Sequence, residues 1–185
     1  GAEVTMVCGS MSVTPRNPFG AIHRIDALSA QEMYEACIAQ WPRMNSAILC
    51  AAVADFTPCE KAENKIKKGE LKVESRESNV FSLSLKETAD IAKALGQSKR
   101  PDQKLIGFAL ETQHEIENAL HKMERKNLDA IVLNSLRDKG AGFGVDTNRV
   151  TIIRADGNSL ELPLLSKAEA ANEIIRYSFL LEEAE

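Results

Sequence analysis

The sequence lacks any apolar segment long enough to cross a membrane, and no segment typical of a secretion signal is visible. It also lacks a basic surplus, because 23 Lys and Arg face 27 Asp and Glu, giving a formal net charge of -4. Neither a nucleic acid nor an anionic membrane surface is therefore expected as the main partner.

Familiar metal-binding and dinucleotide-binding motifs are absent as well. No C-x-x-C pair and no H-E-x-x-H motif occurs among Cys8, Cys37, Cys50, Cys59, His23, His114 and His121. Cys8 and Cys50 lie in apolar, strand-like segments, which favours reduced structural thiols in a cytoplasmic protein. No G-x-G-x-x-G lies between a predicted strand and a predicted helix, which disfavours a dinucleotide-dependent oxidoreductase.

Short apolar runs alternate with amphipathic segments along the chain. Buried strands are predicted at 4–8, 47–53, 104–110 and 130–133, and capping boxes begin helices at Ser29 and Ser166. A chain of 185 residues is long enough for one domain with a real core, and we predict a single domain over 1–185. The predicted fold class is α/β: a Rossmann-like three-layer domain with a mostly parallel sheet and a small β-ribbon at 71–85.

The stretch 47–68 carries the strongest chemical signal. An apolar run ends at Asp55, and ligands of parallel sheets bind beyond the carboxyl ends of the strands. After Pro58, four lysines follow closely: Lys61, Lys65, Lys67 and Lys68. A cationic loop after a carboxylate suits a metal-bound polyphosphate. A solvated charged loop beside a strand-capping Asp is the plainer interpretation.

Four further residues have two interpretations each. Lys122 and Lys126 are four apart on a predicted helix, so that they share one face, where they could bind an anion or complement the helix dipole. Phe108, near the end of a predicted strand, is by burial statistics more often core than ligand contact. Asn134, after the 130–133 strand, could cap a turn or line the crevice.

Several of these segments match one family in the same order. AAVADFTP (51–58) followed by KIKK (65–68) closely resembles phosphopantothenoylcysteine synthetase in its bacterial, CTP-using form. The same family is similar at IGFALET (106–112), at KNLDAIVLN (126–134) with Lys122, and at GFGVDTNRVTII (142–153). The chain is therefore identified as a member of this family. The family's first strand, Gly-rich turn and helix, which carry part of its site, have no counterpart in this sequence, and the resemblance therefore implies an N-terminally truncated domain.

The resemblance implies a ligase of coenzyme A biosynthesis, with CTP as co-substrate and Mg²⁺ as metal. Its site residues transfer to this sequence as follows. Lys65 and Asp55 are expected to be catalytic, and Asp55 is also the expected metal ligand. Ala51 and Ala52 are expected to contact the substrate. The expected nucleotide contacts are Leu49, Cys50, Ala51, Asp55, Lys65, Phe108, Lys122 and Lys126.

The expected substrates are 4'-phosphopantothenate, L-cysteine and CTP, and the expected assembly is a homodimer. The family's domain commonly follows a flavin-dependent decarboxylase on one chain, and no flavin is expected in this one. Two other hypotheses stay open at this point: a nucleotide-binding fragment without activity, and a dinucleotide-dependent oxidoreductase.

Overall fold

A computed structural model describes residues 2–11, 20–60, 62, 64–65, 82–111, 113–135 and 145–180. The strands are β1 (Val4–Cys8), β2 (Ile22–Asp26), β3 (Ser46–Leu49), β4 (Phe56–Pro58), β5 (Leu85–Glu87), β6 (Lys104–Glu111), β7 (Ala130–Ser135), β8 (Thr147–Asn148), β9 (Val150–Arg154), β10 (Ser159–Glu161) and β11 (Leu165–Ser166). The α-helices are α1 (Ala30–Gln40), α2 (Ile91–Gln97), α3 (Glu115–Arg125) and α4 (Lys167–Ile175). A 3-10 turn follows α1 at Trp41–Arg43, and a π-helical turn follows α4 at Arg176–Leu180.

The chain divides into two compact units, and the division falls within α1. The first unit comprises Gly1–Tyr34 and Ala52–Asp90, and the second comprises Glu35–Ala51 and Ile91–Glu185. In the first unit β1 pairs in parallel with β2, and β4 pairs antiparallel with β5. The prediction of a single domain over 1–185 remains a prediction.

The second unit is built on a five-stranded sheet in the order β10-β9-β7-β6-β3. β3, β6 and β7 run parallel, β9 pairs antiparallel with β7, and β10 pairs antiparallel with β9. The β9–β10 hairpin turns at Gly157, whose φ of 88° suits glycine. The predicted α/β class and the mostly parallel Rossmann-like sheet are confirmed.

Apolar side chains cover both faces of this sheet, because successive strand residues point to opposite sides. One face forms a core cluster with α4, whose buried members are Ile106, Ala130, Val132, Val150, Ile152, Leu162 and Ile174. The alternate residues Leu105, Ile131 and Ile153 are also buried, and on their side Gly107 lies under Leu128, which follows α3. Helices on both faces give three layers.

The capping boxes form as predicted. Ser29 Oγ accepts from the Glu32 amide at 3.2 Å while Glu32 accepts from the Ser29 amide at 2.9 Å. Ser166 and Glu169 make the same reciprocal pair at the start of α4, and the Ser166 hydroxyl and amide lower the pKa of Glu169. Side-chain acceptors satisfy amides that the first helical turn leaves without partners.

Two predicted boundaries are wrong. The apolar run at 47–53 forms a strand only as far as Leu49, and Cys50 and Ala51 are exposed rather than buried. β3 lies at the edge of the described sheet, so that it is not covered like a central strand. The strand predicted at 104–110 extends one residue further, to Glu111, and α3 starts at Glu115. Most of the predicted ribbon at 71–85 lies outside the described residues.

Within the described part of the chain, no helix is both long enough and apolar enough to span a bilayer.

Candidate functional site

The carboxyl ends of β3, β6 and β7 meet at one edge of the second unit's sheet. Leu49, the last residue of β3, pairs with Gly107, and Phe108 pairs with Val132 of β7. Cys50 and Ala51 continue from β3 as exposed, irregular chain. The fold therefore brings predicted nucleotide contacts together at the edge where open α/β sheets bind ligands.

Phe108 and Lys122 are in direct contact. Lys122 is half-buried on α3, and its Nζ donates a 2.9 Å hydrogen bond to the main-chain oxygen of Phe108. Phe108 is partly buried, and its side chain packs against the core cluster on the α4 face. Helix α3 thus places an ammonium group on the strand that carries the predicted aromatic contact.

Lys126 follows Lys122 by one helical turn and caps α3. Its amide donates to the Lys122 carbonyl oxygen at 3.1 Å, and its side chain is half-buried. Because α3 ends here, both lysines also lie where the helix dipole favours positive charge. The dipole interpretation and the nucleotide interpretation are compatible at these positions.

The remaining predicted residues, Ala52, Asp55 and Lys65, belong to the first unit. The carbonyl oxygen of Asp55 accepts from the Thr88 amide at 2.9 Å, and Thr88 Oγ1 donates to the Ala54 carbonyl at 2.6 Å. These bonds fix the main chain at Asp55 beside the β4–β5 ribbon and leave its carboxylate exposed. Lys65 is exposed too, and Lys61, Lys67 and Lys68 lie outside the described residues.

Magnesium suits this carboxylate only if the substrate supplies further ligands. No group of three or more His, Cys, Asp or Glu in the described residues could hold a metal. Mg²⁺ is commonly bound by one or two carboxylates together with substrate phosphates and water. A lone, exposed Asp55 therefore fits a phosphate-bridged Mg²⁺ and does not fit a metal site made of protein ligands alone.

Asn134 is a polar residue at this edge that is absent from the predicted site set. It pairs with Leu110 of β6, two positions beyond the Phe108–Val132 pair, and alternation puts it on the same face as Phe108. Its Oδ1 is buried, and no described residue donates a hydrogen bond to it. Buried acceptors are rarely left unpaired, because the desolvation penalty is not recovered. In the sequence, the signal for Asn134 was its position directly after the predicted strand 130–133.

A Rossmann-like α/β domain, with polar groups at the carboxyl edge of its sheet and two lysines at the end of the crossover helix α3, is the class that these features define. The chain belongs to the family described as the DNA/pantothenate metabolism flavoprotein C-terminal domain, whose model matches residues 1–179. The predicted family is thereby confirmed.

Two curated relatives and one solved structure resemble the chain over most of its length. It is 48% identical over 176 residues to a cysteine/cysteine sulfinic acid decarboxylase from an unknown prokaryotic organism, covering 95% of this chain and 46% of that protein. It is 41% identical over 176 residues to the coenzyme A biosynthesis bifunctional protein CoaBC of Bacillus subtilis (strain 168), covering 95% and 41%. The chain therefore spans less than half the length of these relatives.

The solved structure is the C-terminal domain of a coenzyme A biosynthesis bifunctional protein CoaBC. It matches with a TM-score of 0.74 at 36% identity, covering 100% of this chain and 77% of that one. The match supports the Rossmann-like α/β fold.

Proposed function

We propose that this chain is the ligase domain that joins 4'-phosphopantothenate to L-cysteine, using CTP and releasing CMP and pyrophosphate. The observation that carries the proposal is the 41% identity to the Bacillus bifunctional protein over 176 residues, within a match to the C-terminal domain family. The ligase is proposed as a step of coenzyme A biosynthesis.

The reaction requires activation of a carboxylate. A carboxylate is a poor electrophile, because its leaving group would be oxide. Attack of the phosphopantothenate carboxylate on the α-phosphorus of CTP forms an acyl-cytidylate and releases pyrophosphate. The amine of cysteine then attacks the acyl carbon, loses a proton and displaces CMP. Negative charge builds on phosphate oxygens in both steps, and fixed cations stabilise it.

Residues of the second unit supply the proposed nucleotide pocket. Phe108 offers an aromatic side chain to the nucleotide, and the ammonium groups of Lys122 and Lys126 neutralise its phosphates. Leu49 is half-buried at the end of β3, whereas Cys50, Ala51 and Ala52 are exposed. Main-chain groups of Leu49, Cys50 and Ala51 would bond to CTP, and those of Ala51 and Ala52 to phosphopantothenate.

Asp55 and Lys65 supply the proposed catalytic charges of the first unit. Asp55 would hold Mg²⁺ directly or through water; when bound, the metal neutralises developing charge on the phosphates. Lys65 stabilises negative charge at the reacting centre. Lysine suits this task because it is a compact point charge on a long stem.

The other expected properties remain part of the proposal: a homodimer, a cytoplasmic location, and linkage to a decarboxylase domain in a longer protein. The bifunctional name of the Bacillus relative supports the linkage. The prokaryotic relative carries the name of a decarboxylase, but this chain covers only 46% of it. We therefore assign neither decarboxylation nor a flavin to this chain.

We expect CTP to raise the thermal midpoint more than ATP or NAD, and Mg²⁺ with CTP to raise it further. A ligand stabilises a protein when it binds the folded state alone. Asp55→Asn should remove most of the magnesium increment and retain the effect of CTP alone, since the amide is a weaker magnesium ligand of the same shape. A thermal-shift panel measures all of these effects.

The same panel separates the competing functions. A rise with NAD alone would favour an oxidoreductase, and no rise with any nucleotide would contradict the proposed function. An equal magnesium increment in Asp55→Asn would remove Asp55 from the metal end of the site while leaving the ligase proposal intact.

Lys122→Ala and Lys126→Ala are each expected to weaken CTP binding about tenfold, the typical value of one charge-assisted hydrogen bond. Lys93, exposed on α2 and outside the proposed site, provides the matched control, and Lys93→Ala should bind CTP normally. Calorimetric titration measures the affinities. Unchanged affinity in both site variants would leave these lysines with only their effect on the helix dipole.

A further inference from the structure

Helix α2 and Lys99, which lies two residues after α2, hold the turn between α3 and β7 in place. Asn127 Nδ2 donates to the Gly96 carbonyl oxygen at 2.8 Å, and Lys99 Nζ donates to the Asn127 carbonyl oxygen at 2.8 Å. Lys99 Nζ also pairs with Asp129 Oδ2 at 2.8 Å. We call these four residues the α2 clamp: Gly96, Lys99, Asn127 and Asp129.

The α2 clamp is in direct contact with the main chain of Lys126. Gly96 packs so closely that a Cβ added to it would overlap the carbonyl oxygen of Lys126. Asn127 itself adopts the left-handed conformation, with φ 51°, where α3 ends. The direction in which the chain leaves Lys126 is therefore set from both sides, by the left-handed residue and by the glycine.

The clamp is also tied to the strand that carries Phe108. Asp129 Oδ2 accepts a 2.7 Å hydrogen bond from the Leu105 amide in β6. The Lys99 side chain is only 11% exposed and that of Asp129 29%, so that water screens their ion pair incompletely. Lys99 thus acts as a structural cross-link between α2, the turn and β6.

We propose that Asn127, through its bond to Gly96, is a positioning residue for Lys126, and that Lys99 supports it. The inference rests on the proposed function, in which Lys126 binds the nucleotide. A lysine side chain loses conformational entropy when it binds a phosphate. If the main chain of that lysine is already fixed, binding has less conformational freedom to remove, and the entropy cost of binding is smaller. The α2 clamp fixes the main chain of Lys126 at the end of α3.

The test is a double-mutant cycle with CTP in calorimetric titration. Asn127→Gly keeps the left-handed conformation accessible and removes only the side-chain donor. It should weaken CTP binding about threefold to tenfold, in line with the cost of ordering one long side chain. In a Lys126→Ala background the same change should have no further effect on affinity, whereas the drop in thermal midpoint should be equal in both backgrounds.

A second pair of variants guards against a change that only perturbs the fold. Lys99→Met removes the ion pair and should reproduce the loss of affinity, while Lys99→Arg retains a cation and should restore most of it. Retained CTP affinity in both Asn127→Gly and Lys99→Met would overturn the inference. So would an equal loss in the presence and absence of the Lys126 side chain, because Asn127 would then act independently of Lys126.

The result for Lys126→Ala alone separates the inference from the proposed function. If this variant weakens CTP binding and Asn127→Gly adds to it, positioning is wrong and the nucleotide site stands. If Lys126→Ala binds CTP normally, Lys126 is not a nucleotide contact, and the inference is overturned with that assignment. If the unchanged protein binds no CTP, the proposed function and the inference are both overturned.

Discussion

Lys65→Gln is expected to slow formation of the cysteine-ligated product by about 10²- to 10³-fold, the typical loss when one charge-stabilising group is removed. Affinity for CTP should stay close to normal. Glutamine retains a similar length and a hydrogen-bond donor, and it removes only the charge. Lys65 is exposed in the polar segment after β4, so that its ammonium group is open to solvent. The measurement belongs in a protein that also contains the strand, Gly-rich turn and helix implied by the family resemblance.

Mass spectrometry of a quenched reaction gives the decisive measurement. The acyl-cytidylate should accumulate, and pyrophosphate release should continue, if Lys65 matters more for handling the intermediate than for binding CTP. Lys65→Arg, which keeps a positive charge, is the matched control and should retain part of the turnover. Full ligase turnover in Lys65→Gln would remove the residue from catalysis. Complete loss of CTP binding would instead make it a nucleotide contact.

Trp41→Ala should lower the free energy of unfolding of the second unit by about 3–5 kcal/mol, as is usual when a large buried aromatic side chain is truncated. The Trp41 side chain follows α1 and is 3% exposed, and its Nε1 donates to the Leu95 carbonyl oxygen at 3.1 Å. Its own carbonyl oxygen accepts from Gln103 Nε2 at 2.9 Å, and Gln103 is 2% exposed. The substitution therefore removes apolar packing beside a buried polar network.

Denaturant unfolding followed by far-ultraviolet circular dichroism would measure the change. Trp41→Phe retains most of the aromatic packing and loses the indole donor, while the Leu95 carbonyl oxygen still accepts from Ser98 Oγ at 3.3 Å. It should therefore cost about 0.5–1.5 kcal/mol, the usual value of one hydrogen bond. A loss below about 1 kcal/mol for Trp41→Ala would contradict the assignment of Trp41 to the core.

Elements defined by local signals could be predicted from the sequence. The strands β6 and β7 follow from continuous apolar runs, and the β9–β10 hairpin follows from Asp156 and Gly157. The capping box at Ser166 depends on residues only three apart. Each of these signals lies within a few neighbouring residues. The local structure that it favours therefore depends little on the rest of the fold.

Features that depend on distant residues could not be predicted in this way. The run at 47–53 has the composition of a central strand, but sheet order places β3 at an edge, and the strand ends at Leu49. Composition does not reveal which strands a segment will have as neighbours. For the same reason the sequence pointed to Lys122 and Lys126 but not to the α2 clamp, whose Gly96 and Asn127 are 31 positions apart.

The second unit is assembled from two separate stretches of chain, because β3 joins β6 across the whole of Ala52–Asp90. Closing such a loop costs entropy that grows only slowly, by about 0.6 kcal/mol for each doubling of its length. Insertions or deletions within this stretch should consequently have little effect on the stability of the sheet. During folding, β6, β7, β9 and β10 can associate first through short connections, and β3 can add to their edge afterwards.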